Sequence, residues 1–400
     1  RIDIPRQELF WNIYYQGETN FTYLMNKWRD YDEPRQAGNK VDPKDYESAR
    51  VDSLHMFYYP FVIDWLNIIP RAGFRLTYYS KTPKDGLNQH EVDTLFIVDD
   101  QGGGDPPGDV VNYRGTKENK LRFIGELGFE ANTKISRAWN DVKNAFWGID
   151  GIRHVMVPYL NYNFTPPPTI KPKNLYYFDD IDRIDEQHFV RLGYKNRLET
   201  RRGEKKQELY TWASLENYFD FHFDHQAGYD ALGDFGTIFE FNPFPDFKLR
   251  SELLVDAANF SVQKFKTDFT YTITKRWKTF IRYNYQANYM QRGTYSMGSS
   301  LADIDSSSAF ARQVNKNQEV SFGLDFPITE KTRGEFEVAY NVRDHNIEQG
   351  RIRLIRNLHC WEVALEYAVR QRQDDMGKKY FQNNVMFMLY LTAQPSVKIQ

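Results

Sequence analysis

The chain has 400 residues, a formal net charge of −2 and a mean hydropathy of −0.69. The charge balance shows no basic excess that would indicate nucleic-acid binding, and no run of about 18 apolar residues exists that could form a transmembrane helix. Aromatic residues nevertheless make up 16% of the chain. A hydrophilic average with many aromatic residues is typical of a membrane β-barrel with a polar lumen.

Segments in which apolar and polar residues alternate recur along the chain, and a period of two is the period of a β-strand. In chain order they include 73–80, 122–131, 189–201, 269–274, 281–290, 335–342, 360–372 and 384–392. In 281–290, Arg282, Asn284 and Gln286 alternate with isoleucine and tyrosine. We count roughly 16 to 20 such segments of about 8 to 14 residues, long enough to cross a bilayer as tilted strands.

The pattern predicts an all-β fold, a large antiparallel transmembrane β-barrel of about 16 to 26 strands located in the outer membrane. Long polar insertions alternate with tight turns such as 328–334, which predicts one rim of long extracellular loops. The insertions are 29–50, 81–118, 165–186 and 291–316. Residues 133–147 fit either a helix or a strand. A soluble β-sandwich also has a period of two, so a soluble or surface β-protein that binds carbohydrate remains an alternative.

In the predicted barrel, the aromatic and aliphatic face of each strand meets lipid and the polar face lines the lumen. The candidate lumen-facing residues are Arg191, Lys195, Arg197, Arg282, Asn284 and Gln286. Arginine and lysine are charge-assisted donors that can solvate sugars and phosphates.

The sequence offers little that points to catalysis. It has no glycine-rich phosphate loop, HExxH or GxSxG motif. Asp220, His222 and Asp224 would share one strand face and could suggest a metal site, but we interpret them as part of a polar lumen or loop-rim face. The acidic stretch 179–186 lacks the glycine and the ligand order of a calcium loop. We therefore predict no enzyme, no metal and no cofactor.

One region is similar to a known family. The stretch GIRHVMVPYLNYNFTPPP (151–168) is followed by YYFDDIDRID (176–185) and FVRLGYKNRLETRRG (189–203). Their order and spacing resemble the C-terminal barrel of the LPS-assembly protein family LptD, also called organic solvent tolerance protein. The motif positions are Arg153, His154, Pro158, Phe178, Asp179, Asp182, Asn196 and Leu198.

The resemblance implies transport of lipopolysaccharide across the outer membrane and its insertion into the outer leaflet. It implies lipopolysaccharide, a periplasmic LPS-transport bridge protein and the plug lipoprotein LptE as partners. It also implies that residues 1–400 are one barrel domain and that a periplasmic jellyroll lies outside this chain. The alternative is a general or substrate-specific outer-membrane porin, which has the same architecture and a different cargo.

Two further expectations follow from the resemblance. Cys360 is the single cysteine, and the family suggests a disulfide to a cysteine of the N-terminal region, although a lone buried thiol explains it equally well. The last strand is predicted near 384–392, and in the family this strand forms one side of a gate. The candidate gate residues are Val385, Phe387, Leu389 and Leu391.

Overall fold

The fold is all-β, as the alternation predicts. The computed structural model describes residues 1–26, 46–83, 118–202, 208–223, 231–274, 276–291, 296–298, 312–314, 316–358, 361–373 and 379–391. Nineteen of the described strands form one sheet, two more form a small hairpin, and every strand pair is antiparallel. The prediction of a large antiparallel barrel sheet is confirmed.

The strands follow one another in a meander. In chain order they are β1 (Ile2–Phe10), β2 (Ile13–Asn26), β3 (Tyr46–Tyr58), β4 (Phe61–Ile63), β5 (Leu66–Thr82), β6 (Glu118–Asn132), β7 (Ile135–Asn144), β8 (Ile149–Thr165), β9 (Gln187–Arg202), β10 (Glu208–His222), β11 (Leu232–Phe241), β12 (Phe247–Asp256), β13 (Ser261–Thr274), β14 (Trp277–Gln286), β15 (Tyr289–Gln291), β16 (Arg312–Val314), β17 (Asn317–Pro327), β18 (Thr332–Asn341), β19 (Asn346–Leu358), β20 (Trp361–Gln373) and β21 (Lys379–Leu391). Strands β15 and β16 form the separate hairpin.

Two positions in the sheet are each filled by a broken strand. Both β3 and β4 pair with β5, and both β6 and β7 pair with β8. At the second break, the Thr133 amide donates to the Pro158 carbonyl at 3.3 Å. Among the described strands, β1 pairs with β2 and β21 pairs with β20, and no pairing joins β1 to β21.

The two faces of the sheet are the reverse of those in a soluble protein. On β5, Arg75 and Thr77 are buried while Tyr78 is exposed. On β6, Arg122 and Glu126 are buried and Phe123 and Leu127 are exposed, and the same inversion recurs on other strands. An exposed apolar face opposite a polar one is the pattern of a sheet whose outer surface meets lipid. We call the polar face the inner face.

The turns fall into two groups at opposite rims. The short-turn rim includes the two-residue turn Trp11–Asn12, where both residues have positive φ (48° and 64°), as a two-residue hairpin turn of type I′ requires. Tryptophan recurs at this rim, and the residues are Trp11, Trp65, Trp147, Trp277 and Trp361. Amphipathic indole rings favour the boundary between lipid and water. The long connection at the opposite rim that the structure describes in full is 166–186, and we call this rim the long-loop rim.

Helical structure in the described residues is confined to the connection between β8 and β9. It consists of a 3₁₀ turn at Pro172–Asn174 and one turn of helix, α1 (Asp180–Arg183). The described part of the chain contains no helix with the length and hydropathy needed to cross a membrane.

Candidate functional site: the lumen and its inserted segment

The connection between β8 and β9 folds against the inner face instead of extending into solvent. We call residues 166–186 the inserted segment. Leu175, Tyr176 and Ile184 of this segment are buried. Tyr176 stacks on Tyr46 of β3 with ring centroids 4.9 Å apart, and the Tyr46 hydroxyl donates to the Tyr177 carbonyl at 2.8 Å. The prolines of this stretch, which predict an extended chain, therefore lead into a docked structure.

Arg122 of β6 is the main anchor of the inserted segment, and its side chain is fully buried. Its Nε donates to the Ile170 carbonyl at 2.9 Å and its Nη1 to the Ile181 carbonyl at 2.9 Å. It also contacts the carbonyls of Asp182 and Ile184. One cation on a strand thus satisfies carbonyl groups from both ends of the segment, which would otherwise be buried without donors.

A second anchor joins β3 and β5 to α1. Arg50 forms ion pairs with Asp182 at 2.9 Å and with Asp179 at 2.5 Å. The Tyr79 hydroxyl donates to Asp182 at 2.7 Å, and the amide of Phe178 donates to its other carboxylate oxygen at 2.9 Å. Burial raises the pKa of Asp182, and the Arg50 guanidinium opposes that rise. The carboxylate therefore depends on Arg50 to stay charged in this position.

Asp179 and Asp182 also shape the helix itself. The Asp179 side chain accepts the amide of Ile181 at 3.0 Å, and the Asp182 side chain accepts the amide of Asp179 at 3.1 Å. This reciprocal arrangement is a capping box, which satisfies free amides at a helix start. The same two carboxylates thus form the turn and attach it to the barrel.

A second piece of the long-loop rim enters the lumen closer to the short-turn rim. Glu126 accepts the Ser296 hydroxyl at 2.9 Å and the Met297 amide at 2.5 Å. Arg71 pairs with Glu126 at 3.0 Å and donates to Ser296 at 3.1 Å. Gly298 lies so close to the sheet that an added Cβ would stand 2.4 Å from the Met56 side chain. Two separate connections therefore occupy the inner face of β3, β5 and β6.

The candidate lumen-facing residues all lie on the inner face by strand register. Arg191 pairs with Asp220 of β10 through two hydrogen bonds of 2.6 and 2.8 Å, and Lys195 pairs with Glu216 at 3.3 Å. Arg197 lies 3.8 Å from Glu199. On β14, Arg282 pairs with Asp268 at 2.5 Å, and Asn284 and Gln286 follow it at the same parity. Their role in solvating a passing solute stays a prediction.

The motif residues taken from the family resemblance separate into two places. Phe178, Asp179 and Asp182 belong to the inserted segment described above. The remaining five lie on β8 and β9, namely Arg153, His154, Pro158, Asn196 and Leu198. Arg153 pairs with Glu199 on the inner face at 2.5 Å, while His154 contacts Asn196 at 3.0 Å on the opposite face. They do not form one cluster.

The remaining predicted positions lie at the end of the chain. Val385, Phe387 and Leu389 are exposed on β21, and Leu391 is its last residue. A gating role for them stays a prediction. Cys360 and Asp224 lie outside the described residues. Within the described residues no group of three or more His, Cys, Asp or Glu is placed to hold a metal ion.

Sequence reasoning missed the residues that hold the inserted segment. Arg50, Tyr79 and Arg71 are buried on the inner face, and each contacts a connection that is distant in sequence. Parity was the available signal for Arg71 and Tyr79, because both share the parity of Arg75 and Thr77 in the alternating segment 73–80. Arg50 lies in a stretch that the sequence predicts to be a polar loop. The identity of their partners depends on how the connections fold, which alternation does not encode.

The fold and this lumen define the chain as an outer-membrane β-barrel protein. Its outer surface is apolar, its inner face carries paired charges, and its short-turn rim carries tryptophan. The predicted location in the outer membrane agrees with these features.

Comparison with known proteins gives only distant structural likenesses. No protein-family model and no curated protein matches the chain. A variant of the ferric enterobactin receptor PfeA from Pseudomonas aeruginosa matches with 7% identity and a TM-score of 0.45, over 96% of this chain and 68% of that one. The siderophore receptor PirA from Acinetobacter baumannii matches with 8% identity and a TM-score of 0.41, over 94% and 64%.

Another solved structure, OccAB4 from Acinetobacter baumannii, has 11% identity and a TM-score of 0.34, over 95% of this chain and 97% of that one. At these scores the likenesses do not assign a family or a cargo.

The assignment to the LPS-assembly family is wrong. No family model matches the chain, and the solved structures reported above are siderophore receptors and OccAB4 instead of LPS-assembly proteins. The partners that the assignment implied, namely lipopolysaccharide, a periplasmic bridge protein and LptE, are withdrawn with it. Five of the motif residues have local structural roles. Asp179 and Asp182 cap α1, and Arg153, His154 and Asn196 make cross-strand contacts.

Proposed function

We propose that the chain is a solute-selective outer-membrane channel, a porin-type barrel whose lumen is narrowed from one side by its own connections. The observation that carries this proposal is the attachment of the inserted segment to three consecutive strand positions by buried charges. A connection anchored in this way inside a polar lumen narrows the passage but leaves the lumen hydrated. We therefore assign the polar inner face to the passage of solutes instead of to catalysis.

The energetics of the anchors support a constriction that persists. Arg50 and Asp182 form a buried ion pair, and Arg122 donates to carbonyls of the segment, so withdrawal of the segment would break both sets of contacts. Separating buried charged partners costs roughly 3–5 kcal/mol. The segment therefore stays docked under ordinary conditions, and the free cross-section is set by the rest of the inner face.

The rest of the inner face is polar and partly accessible. Side chains on β12 and β14 such as Arg250 and Arg282 keep 37% and 42% of their side-chain surface exposed, whereas Arg50 beside the inserted segment keeps 4%. This difference supports a passage that runs along β11–β20, opposite the filled side. A hydrated wall of this kind suits small polar solutes.

The test is reconstitution of the purified barrel into planar bilayers and liposomes. We expect stepwise ion conductance and entry of small polar solutes up to a size limit, with denatured protein added in equal amount as the control. Conductance and solute entry no higher than those of protein-free membranes would overturn the proposal.

A further inference from the structure

A row of alternating charges crosses the accessible side of the inner face. Four residues stand directly opposite one another on β11, β12, β13 and β14. They are Glu240, Arg250, Asp268 and Arg282, and we call them the charge row. Neighbouring strands lie about 4.8 Å apart, so the row extends roughly 14 Å around the wall.

The members of the charge row are paired with one another. Arg250 contacts Glu240 at 2.5 Å, and Arg282 contacts Asp268 at 2.5 Å. Their side chains keep between 25% and 42% of their surface exposed. The comparable pair of Arg191 with Asp220 keeps only 6% and 4%. The pairs beside the docked connections, Arg50 with Asp182 and Arg71 with Glu126, keep at most 4%. The row therefore presents charged groups to a solute, whereas these pairs do not.

The same arrangement recurs farther around the barrel. Glu335, Arg353 and Glu366 stand opposite one another on β18, β19 and β20. Arg353 contacts Glu335 at 3.3 Å and also contacts Glu366. Alternation of sign between neighbouring strands thus occurs twice on this wall, and it ends at β17, where Asp325 stands opposite Glu335.

The chemistry of such a row favours neutral solutes rich in hydroxyl groups. Arg250 also donates to Glu252 at 3.0 Å, and Lys266 contacts Asp268 at 3.2 Å. A guanidinium has five N–H donors and a carboxylate about four acceptor sites, so the row keeps donors and acceptors for a solute beside these contacts. Adjacent hydroxyls can accept from the arginine and donate to the carboxylate at once. An ionic solute gains less, because the row has two cations and two anions and each charge already has a partner of opposite sign.

We propose that the charge row is a binding site for neutral polyhydroxylated solutes, that is, short oligosaccharides. The inference deepens the proposed function and rests on it only in placing the site along a passage. Binding of a solute depends only on the charge row and does not require that the solute passes through the barrel.

The experiment is isothermal titration of the detergent-solubilised barrel with maltotriose, alongside planar-bilayer conductance of the same preparation. We expect saturable binding to the unaltered protein. The D268N substitution keeps the shape of the side chain and removes the charge between Arg250 and Arg282. It weakens binding by about tenfold, which is typical when one charge-assisted hydrogen bond is lost.

The matched control is D325N, which makes the same chemical change on the inner face of β17 outside the row. It leaves the affinity for maltotriose unchanged. Absence of binding in folded protein, or equal losses in the two variants, would overturn the inference. Conductance reports separately on the proposed function, since a barrel that conducts without binding maltotriose loses only the inference, and one that binds without conducting loses only the channel.

Discussion

Substitution of Arg122 by methionine tests whether the inserted segment narrows the lumen. Methionine keeps an apolar stem of similar length and removes the guanidinium. The two best-formed hydrogen bonds, to the carbonyls of Ile170 and Ile181 at 2.9 Å each, are then lost. At about 1.5–3 kcal/mol for each hydrogen bond from a charged group, the loss is roughly 3–6 kcal/mol.

That loss acts on the equilibrium between docked and released segment. Because every 1.4 kcal/mol is a factor of ten, docking weakens by roughly two to four orders of magnitude. We expect single-channel conductance in planar bilayers to rise and to fluctuate as the segment leaves and returns. Trypsin should also cut faster after Arg183, which is followed by Ile184, since cleavage follows the population of the released state.

The matched control is Arg153→Met on the inner face of β8. The Arg153 guanidinium donates to Glu199 on the neighbouring strand, so the conductance and the tryptic rate of this variant should equal those of the unaltered protein. If Arg122→Met also leaves both quantities unchanged, or if the control changes as much, the assignment of Arg122 as the anchor is refuted.

Three further predictions concern stability in phospholipid vesicles, measured by urea unfolding. Arg50→Met leaves the Asp182 carboxylate buried without its cation and lowers the free energy of unfolding by about 3–5 kcal/mol. Adding Asp182→Asn should recover part of that loss. A double variant no more stable than the single variant would contradict the ion pair. Leu192→Arg places a cation on the exposed face of β9 and lowers the free energy of unfolding by about 2–4 kcal/mol if that face meets lipid. The control Leu192→Met should leave the stability unchanged. Equal stability of the two variants would contradict a lipid-facing surface. Gly128→Ala puts a Cβ 2.6 Å from a strand carbonyl and lowers the free energy of unfolding by about 1–3 kcal/mol. Gly350→Ala, whose Cβ would have nothing within 4 Å, should lower it by less than about 0.5 kcal/mol. Similar losses for both variants would contradict the close packing at Gly128.

The sequence predicts the strands and their two faces because alternation is a local property. The segment 281–290 alternates cleanly, and its lipid-facing and lumen-facing positions follow from parity. Residues 133–147 gave an ambiguous signal, and the structure shows why. Strand β7 is exposed along nearly its whole length, so neither of its faces needs to be apolar.

The inserted segment could not be predicted in the same way. Ser48 and Arg50 were assigned to a polar loop because they are hydrophilic, yet they begin β3 and are buried. Their polarity reflects contact with the docked connection and neighbouring strands, which only the folded chain brings together. A polar lumen position and a polar loop position look alike in sequence, since both are selected for hydrogen bonding.

The position of the inserted segment along the chain has a consequence for assembly. Arg122 and its partner Ile181 are 59 residues apart, whereas Glu126 and Ser296 are separated by 170. Contacts of shorter sequence separation cost less loop-closure entropy and tend to form earlier. We expect the N-terminal strands and their docked connection to acquire structure first, so that the later strands are added to a wall that is already filled.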